Sequence, residues 1–240
     1  MKIKQLLEDN RERQRHPVNV AKDGTEAMLY IYDVISPDWG VSALQVIESL
    51  GQIGDVETLH VHINSPGGDV FEGRAIMAAL GRFKGKTVAH VDSLCASAAT
   101  SVALACGEVR MADGAFFMIH NASCMAWGDK NALRETADLL EKVEGSIVND
   151  YTRKTGKDDA EILAMMDAET WMTAKEALDH GFIDAIETPA EKPKNTWNLG
   201  AFDKAPEALT APPKEEEPEP APAGFFMSVA NANRLKLALI

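Results

Sequence analysis

Asn64-Ser65-Pro66-Gly67-Gly68-Asp69 joins two segments of opposite periodicity, and the fold is read outward from it. Upstream, Thr58 to Asn64 alternates, with Leu59, Val61 and Ile63 on one face and His60 and His62 on the other. That period of two marks a strand with one buried side. Downstream, Val70, Phe71, Ile76, Met77 and Leu80 recur at helical spacing as far as Gly81, and Asp69 is placed to cap the helix. Pro66 fixes its own φ, while two glycines permit conformations and close approaches that a Cβ forbids. Free amide hydrogens can then point into a cleft at the positive end of a helix, where an oxyanion is welcome. An ordinary strand-to-helix turn has the same outline, so a second element must supply the chemistry.

About thirty residues on, Thr87-Val88-Ala89-His90-Val91 reads as a short strand, followed by a run of small and apolar residues from Asp92 to Gly107 that packs as a helix. A serine at the start of such a helix has its hydroxyl near unsatisfied backbone amides, which favour negative charge on a bound carbonyl oxygen. Ser93, Ser97 and Ser101 all compete for that position, and a hydroxyl bonded to the backbone inside the helix is the plain alternative for each. The next apolar run, Gly114 to Asn121, is a strand that ends in His120 and can reach into a cleft. Among the other histidines, His16 lies in a polar arm, His60 and His62 belong to a solvated strand face, and His90 and His180 have no catalytic setting. His60-x-His62 has metal-ligand spacing but no third ligand, so no metal is expected. Asp167 and Glu169, ahead of an amphipathic helix, both offer a carboxylate to orient an imidazole, and spacing does not choose between them.

Asn-Ser-Pro-Gly-Gly at 64–68, Cys95-Ala96-Ser97-Ala98-Ala99, Met118-Ile119-His120-Asn121 and the stretch from Glu169-Thr170-Trp171-Met172-Thr173-Ala174 to Gly181-Phe182-Ile183-Asp184 resemble, in order and spacing, the motifs of the Clp-protease proteolytic subunit family. The resemblance covers roughly residues 26–187. Gly40-Val41, Gly73, Ala126-Trp127-Gly128 and Met166 to Trp171 are most similar to the phage branch, the head maturation proteases that trim capsid and scaffold proteins. It implies an α/β fold, a crotonase-like, ClpP-like spiral of ββα units with a long handle helix that packs rings face to face. It implies Ser97 as nucleophile, His120 as base, and the amides of Gly68 and Ala98 as the oxyanion site, with Gly67 beside them in substrate binding. The family's usual aspartate aligns with Glu169, one methylene longer, and Asp167 stands as the alternative acid. The implied reaction is peptide hydrolysis through an acyl-enzyme, with no cofactor, nucleotide or metal in that step. Cys95, two residues before Ser97, reads as a small buried hydrophobe and not as a catalytic thiol.

Composition agrees with one principal domain. The chain has 240 residues, 45% of them hydrophobic, and strands and helices alternate through residues 28–187. The expected organisation is an amino-terminal arm (1–25), a protease domain (26–190), a Pro/Glu-rich linker (191–224) and a short amphipathic tail (225–240). Three cysteines without a signal-peptide pattern point to a reducing compartment, the cytoplasm of a bacterial host or a phage prohead. No apolar run is long enough for a membrane span. A net charge of −13 argues against nucleic acid as a partner. Much of that charge sits in Glu207 and Glu215-Glu216-Glu217-Pro218-Glu219, inside a proline-rich stretch that cannot pack a core. Residues 130–154 read as one long helix with Leu133, Ala137, Leu140, Val143, Ile147 and Tyr151 on one side. Partners implied by the resemblance are protein substrates, capsid or scaffold protein first, and further copies of the chain in a homo-oligomeric ring.

Two other function classes remain. A degradative Clp subunit works with an AAA+ ATPase, and the arm does not resemble that branch's entry loop. An inactive or crotonase-like acyl-binding relative would use the glycine turn but would not need Ser97 together with His120. A serine/lysine signal peptidase lacks both its anchor and its lysine here.

Overall fold

The computed structural model describes residues 3–14, 16, 18–188 and 197–210. The acidic run at Glu215 to Glu219 and the expected amphipathic tail lie outside the described residues. In chain order the elements are α1 (Ile3–Asp9), β1 (Asn19–Asp23), β2 (Glu26–Ile31), α2 (Ala43–Ile53), β3 (Thr58–Ser65), α3 (Val70–Leu80), β4 (Lys86–Ala96), α4 (Ala98–Leu104), β5 (Glu108–Ala112), β6 (Phe116–Ile119), α5 (Lys130–Thr155), α6 (Asp159–Asp167), β7 (Thr170–Thr173), α7 (Ala174–Asp179) and β8 (Ala185–Glu187).

The alternating strand β3 lies at the middle of a sheet ordered β1-β2-β3-β4-β5-β8, and its apolar face, Leu59, Val61 and Ile63, is fully buried. Only β1 runs antiparallel along this path; β2 to β8 pair in parallel, as short strands separated by crossover helices must. Helices α2, α3 and α4 pack in succession, and each start has a reason in sequence. Ser42 and Gln45 form a capping box on α2, and the Asp69 carboxylate accepts from the amides of Phe71 and Glu72 at the head of α3.

The strand expected at 87–91 runs on to Ala96, because the sheet forks along it. Val88 to Val91 pair with β5, whereas Leu94 to Ala96 pair with β6. The small-residue run is therefore half strand and half helix, and α4 begins only at Ala98. Beyond the fork, β6 pairs antiparallel with β7.

Helix α5 matches the long helix read from the sequence, but its apolar stripe divides. Ile147 and Tyr151 are buried on the core, with Arg74 of α3 paired to the buried Asp150, whereas Leu133 of the stripe is 46% exposed and Leu139, outside it, 54%. Helix α6 was not read from the sequence, although Asp158 caps it by accepting from the Glu161 amide.

The face of β3 expected to be solvated carries a polar ladder. Tyr30 stacks on His62 at 4.9 Å and His62 on His90 at 4.8 Å. His60 Nδ1 lies 2.9 Å from His90 Nε2, His62 Nδ1 2.9 Å from Asp92, and His90 Nδ1 3.0 Å from Glu187. No group of three His, Cys, Asp or Glu side chains among the described residues is arranged to hold a metal ion. Burial and then His90 hold the His60 pKa below its ordinary 6.5. The unfolded chain therefore takes up the proton first on acidification, so stability present above about pH 6.5 is lost as pH falls below it. A melting temperature followed from pH 7.5 to 5 should drop, with a shallower slope in His60→Gln; an unchanged slope would remove His60 from the cause.

Candidate active site

Where β4 and β6 run side by side, the register pairs Ala96 with Met118, so the residues that follow both leave the sheet at the same end. Ser97 N–H donates to the Met118 carbonyl at 2.9 Å, and the chain then turns sharply into α4. Ser97 sits at φ 54°, ψ −127°, a region that non-glycine residues rarely occupy and that must be held by its surroundings. Its carbonyl accepts from the Thr100 amide at 2.9 Å and from Thr100 Oγ1 at 2.6 Å, and Thr100 is in turn bonded to the buried Tyr151 hydroxyl. The turn lifts Ser97 Oγ clear of both strand and helix.

His120, one residue past β6, places Nε2 2.8 Å from that Oγ. Burial pushes the imidazole pKa down to about 4, with the charges of Glu169 and Asp203 acting against it. At neutral pH His120 is thus an uncharged acceptor in contact with a hydroxyl, which is the state a general base requires. Of the competing serines, Ser93 lies within β4 and Ser101 is buried inside α4. Cys95 is fully buried and its thiol is held well above its ordinary range by burial, so it is inert.

The Gly-Gly turn lies against the same junction. A Cβ on Gly67 would stand 2.5 Å from the Ala96 carbonyl oxygen and 2.7 Å from Ser97 Cβ, so only glycine lets the two turns touch. The Gly67 carbonyl accepts from Ile35 N–H and the Asp69 amide donates to the Ile35 carbonyl, both at 2.8 Å. This one-residue parallel bridge holds Gly68 extended between its two bonds, and the Gly68 N–H faces away from Ile35. Neither Gly68 N–H nor Ala98 N–H, at the first position of α4, has a protein acceptor among the described residues. The Gly67 amide donates to Ser65 Oγ at 3.2 Å, so it is not one of the open amides.

The carboxylates are arranged otherwise than the sequence suggests. Asp167 accepts from the side chain of Asn121 at 2.6 Å. Glu169, at φ 48°, accepts from Trp171 Nε1 at 3.1 Å and from the backbone amides of Lys204 at 2.7 Å and Asp203 at 3.2 Å. Neither carboxylate bonds His120, whose one side-chain hydrogen bond among the described residues is to Ser97. Glu169 reaches the imidazole through its charge alone.

Residues 197–209, expected as linker, are packed instead. Trp197, Leu199, Ala201, Phe202 and Leu209 are buried with Leu6 of α1, Leu94 and Ala96 of β4 and Met118 of β6. Trp197 Nε1 donates to the buried Asn64 Oδ1 at 3.1 Å, Arg13 lies 3.8 Å over the Trp197 ring, and Asn10 exchanges hydrogen bonds with the backbone of Asn198. The arm is thereby tied to the same segment. The signal in the sequence is the apolar spacing of Trp197, Leu199, Ala201 and Phe202 before the prolines begin.

Two hollows open on this junction. A small one of about 20 Å³ is walled by Val70, Ser101, Ala122, Ile147 and Tyr151 beside Ser97. A larger one of about 570 Å³ adjoins Gly68, between residues 68–71 and residues 122–125, with Trp39, Leu139 and Val143 around it. Residues 121–127 belong to no helix and pair with no strand among the described residues. The parts present are a hydroxyl with its base, two open amides and an apolar trough beside them, an arrangement suited to acyl chemistry.

Comparison with known proteins agrees with that class. The family model described as Clp protease matches residues 24–190, and the chain belongs to the Clp protease family, whose members are peptidases. It is 28% identical over 148 residues to the ATP-dependent Clp protease proteolytic subunit 2 of Treponema denticola, covering 61% of this chain and 72% of that protein. It is 31% identical over 138 residues to the proteolytic subunit 1 of Protochlamydia amoebophila, covering 56% and 67%. An asparagine-to-aspartate mutant of ClpP1 from Listeria monocytogenes has the same fold, with a TM-score of 0.61 at 21% identity over 70% of this chain and 94% of that one. No described helix is long and apolar enough to cross a membrane.

Proposed function

We propose that the chain is a serine endopeptidase in which Ser97 is the nucleophile and His120 the general base. The observation that carries this is the 2.8 Å contact between Ser97 Oγ and His120 Nε2 at a positive-φ turn flanked by two open amides. As Oγ forms its bond to a peptide carbonyl carbon, its proton passes to Nε2, and the carbonyl oxygen takes the negative charge between Gly68 N–H and Ala98 N–H. The C–N bond then breaks as the imidazolium returns the proton to the leaving amine, and a water activated by the same imidazole releases the acyl group. Glu169 stabilises the imidazolium by charge. Asp167, bonded to Asn121, holds the segment after the base. No metal or organic cofactor enters these steps.

The substrate is a peptide whose scissile carbonyl is held between Gly68 N–H and Ala98 N–H, and the apolar walls of the trough beside Gly68 select its side chains. The chain works as a homo-oligomeric ring, with the exposed leucines of α5 as part of its contact. Its setting is prohead assembly in a bacterial host, with capsid or scaffold protein as substrate. The relatives, ATP-dependent Clp protease proteolytic subunits, favour a second reading, a degradative subunit working with an AAA+ ATPase. Co-expression with the shell and scaffold proteins encoded beside it separates the two. Cleavage of those proteins without added ATPase, absent in Ser97→Ala, supports maturation, whereas cleavage of unfolded proteins that requires an ATPase and ATP supports degradation.

A further inference from the structure

The segment Trp197 to Lys204 touches three parts of the site at once. Its first residue bonds Asn64, at the entry to the Gly-Gly turn. Phe202, 3% exposed, sets its ring edge-on to His120 at a centroid distance of 5.7 Å and is itself wedged against Trp171 at 5.5 Å. The next two amides occupy both oxygens of Glu169, and Lys204 Nζ donates to the Ala168 carbonyl at 2.7 Å. The segment is held in shape by its own bonds, Phe202 N–H to the Leu199 carbonyl at 3.0 Å and Leu199 N–H to the Leu209 carbonyl at 2.9 Å.

We propose that residues 197–204 form a positioning strap for the catalytic pair: Phe202 braces and dries the His120 ring, and the amides of Asp203 and Lys204 fix Glu169 beside it. The proposal rests on the serine-peptidase reading. Removing the brace should let water reach the imidazole and let the ring rotate away from Ser97 Oγ. Both follow from the contacts, since the Phe202 ring lies directly against His120 and Glu169 is saturated by donors that come mainly from the strap. The charged groups facing His120 among the described residues are Glu169 ahead of β7 and Asp203 of the strap, and both oppose the burial that lowers its pKa.

The test is the rate of fluorophosphonate labelling of the full-length chain from pH 3.5 to 8. Wild type, Phe202→Ala, Phe202→Leu and Asp203→Asn are compared with Val46→Ala, a loss of buried packing in α2 away from the site. Phe202→Ala should label roughly 10- to 100-fold more slowly at pH 7, in line with the cost of a misplaced catalytic group. Its acid limb should move up from near 4 toward 6.5, as the solvated imidazole regains its ordinary pKa. Phe202→Leu should restore most of the rate. Asp203→Asn changes an exposed side chain, so folding is not at risk, and it should move the limb down by removing a charge that favours the imidazolium. A folded Phe202→Ala with the limb and rate of Val46→Ala overturns the proposal. If Phe202→Ala does not fold, Lys204→Pro, which removes the amide that holds Glu169 Oε1, takes its place, and a labelling rate and limb equal to those of Val46→Ala overturn the proposal. A wild type that takes no label overturns the serine-peptidase reading itself, and the strap's role with it.

Discussion

Ser97→Ala and His120→Ala each lower kcat/KM on a peptide substrate by about 10⁴- to 10⁶-fold, and the double variant is no slower than either single one. The size follows from what each residue supplies. Without the hydroxyl there is no acyl-enzyme, and without the imidazole the hydroxyl is a neutral alcohol that attacks an amide very slowly. Non-additivity is the sharper part, because the two groups act as one unit through the 2.8 Å contact, and removing the second of a broken pair costs nothing more. Additive losses would mean that Ser97 and His120 act in separate steps. What remains in the double variant is the contribution of the open amides and of substrate binding. For the wild type, activity should hold down to an acid limb near pH 4, because burial keeps His120 neutral there, and should be lost only as pH falls through that value.

Gly68→Ala should cost about 10²- to 10³-fold in kcat, the scale of one lost oxyanion donor. An added Cβ would stand 2.1 Å from the Ile35 carbonyl oxygen, at a φ of +146° that L side chains rarely adopt. Ile35 N–H and C=O are the two anchors of the bridge that keeps Gly68 extended, so relief of the clash must move the amide that faces the cleft. Gly73→Ala is the matched control: its Cβ would meet Ala98 at 3.4 Å, a contact that a few tenths of an ångström relieve, and its φ carries no penalty. Steady-state kinetics on one peptide with both variants distinguishes the amide's role from a general loosening of α3. Equal losses in the two variants would deny Gly68 a place in the anion site.

Those parts of the site that depend on local chain chemistry were legible in the sequence. The turn after β3 was readable because Pro and Gly act on their own φ, and because alternation upstream and helical spacing downstream need no tertiary information. His120 was readable as a strand-end residue, whereas Ser97 was one of three serines in a run read as a helix and was singled out by the family resemblance; their meeting depends on the pairing of β4 with β6 and on a fork in β4. A continuous run of small residues does not announce that fork. The charge partner was illegible for a different reason. Which carboxylate faces the imidazole is settled by the strap, whose amides occupy Glu169, and by Asn121, which takes Asp167. These contacts span 35 and 46 residues in sequence, respectively, and leave no local pattern. The strap itself was misread because the proline-rich acidic stretch colours its neighbourhood. Its tryptophan, leucine and phenylalanine were visible, yet an alternation of only three apolar positions, Trp197, Leu199 and Ala201, is too short to mark a strand and looks like a linker until α1 is seen to cover it. His60 and His62 were correctly placed on the polar face of β3, but the stacking of that face across three strands required the register.

Activation of Ser97 by His120 is read out by mass mapping of a fluorophosphonate adduct on the full-length protein, since the reagent modifies activated serines. One adduct, on Ser97, is expected in the wild type and none on that residue in Ser97→Ala or His120→Ala. An unlabelled Ser97 in folded, oligomeric wild type, or an adduct on Ser97 that survives the loss of His120, would contradict it.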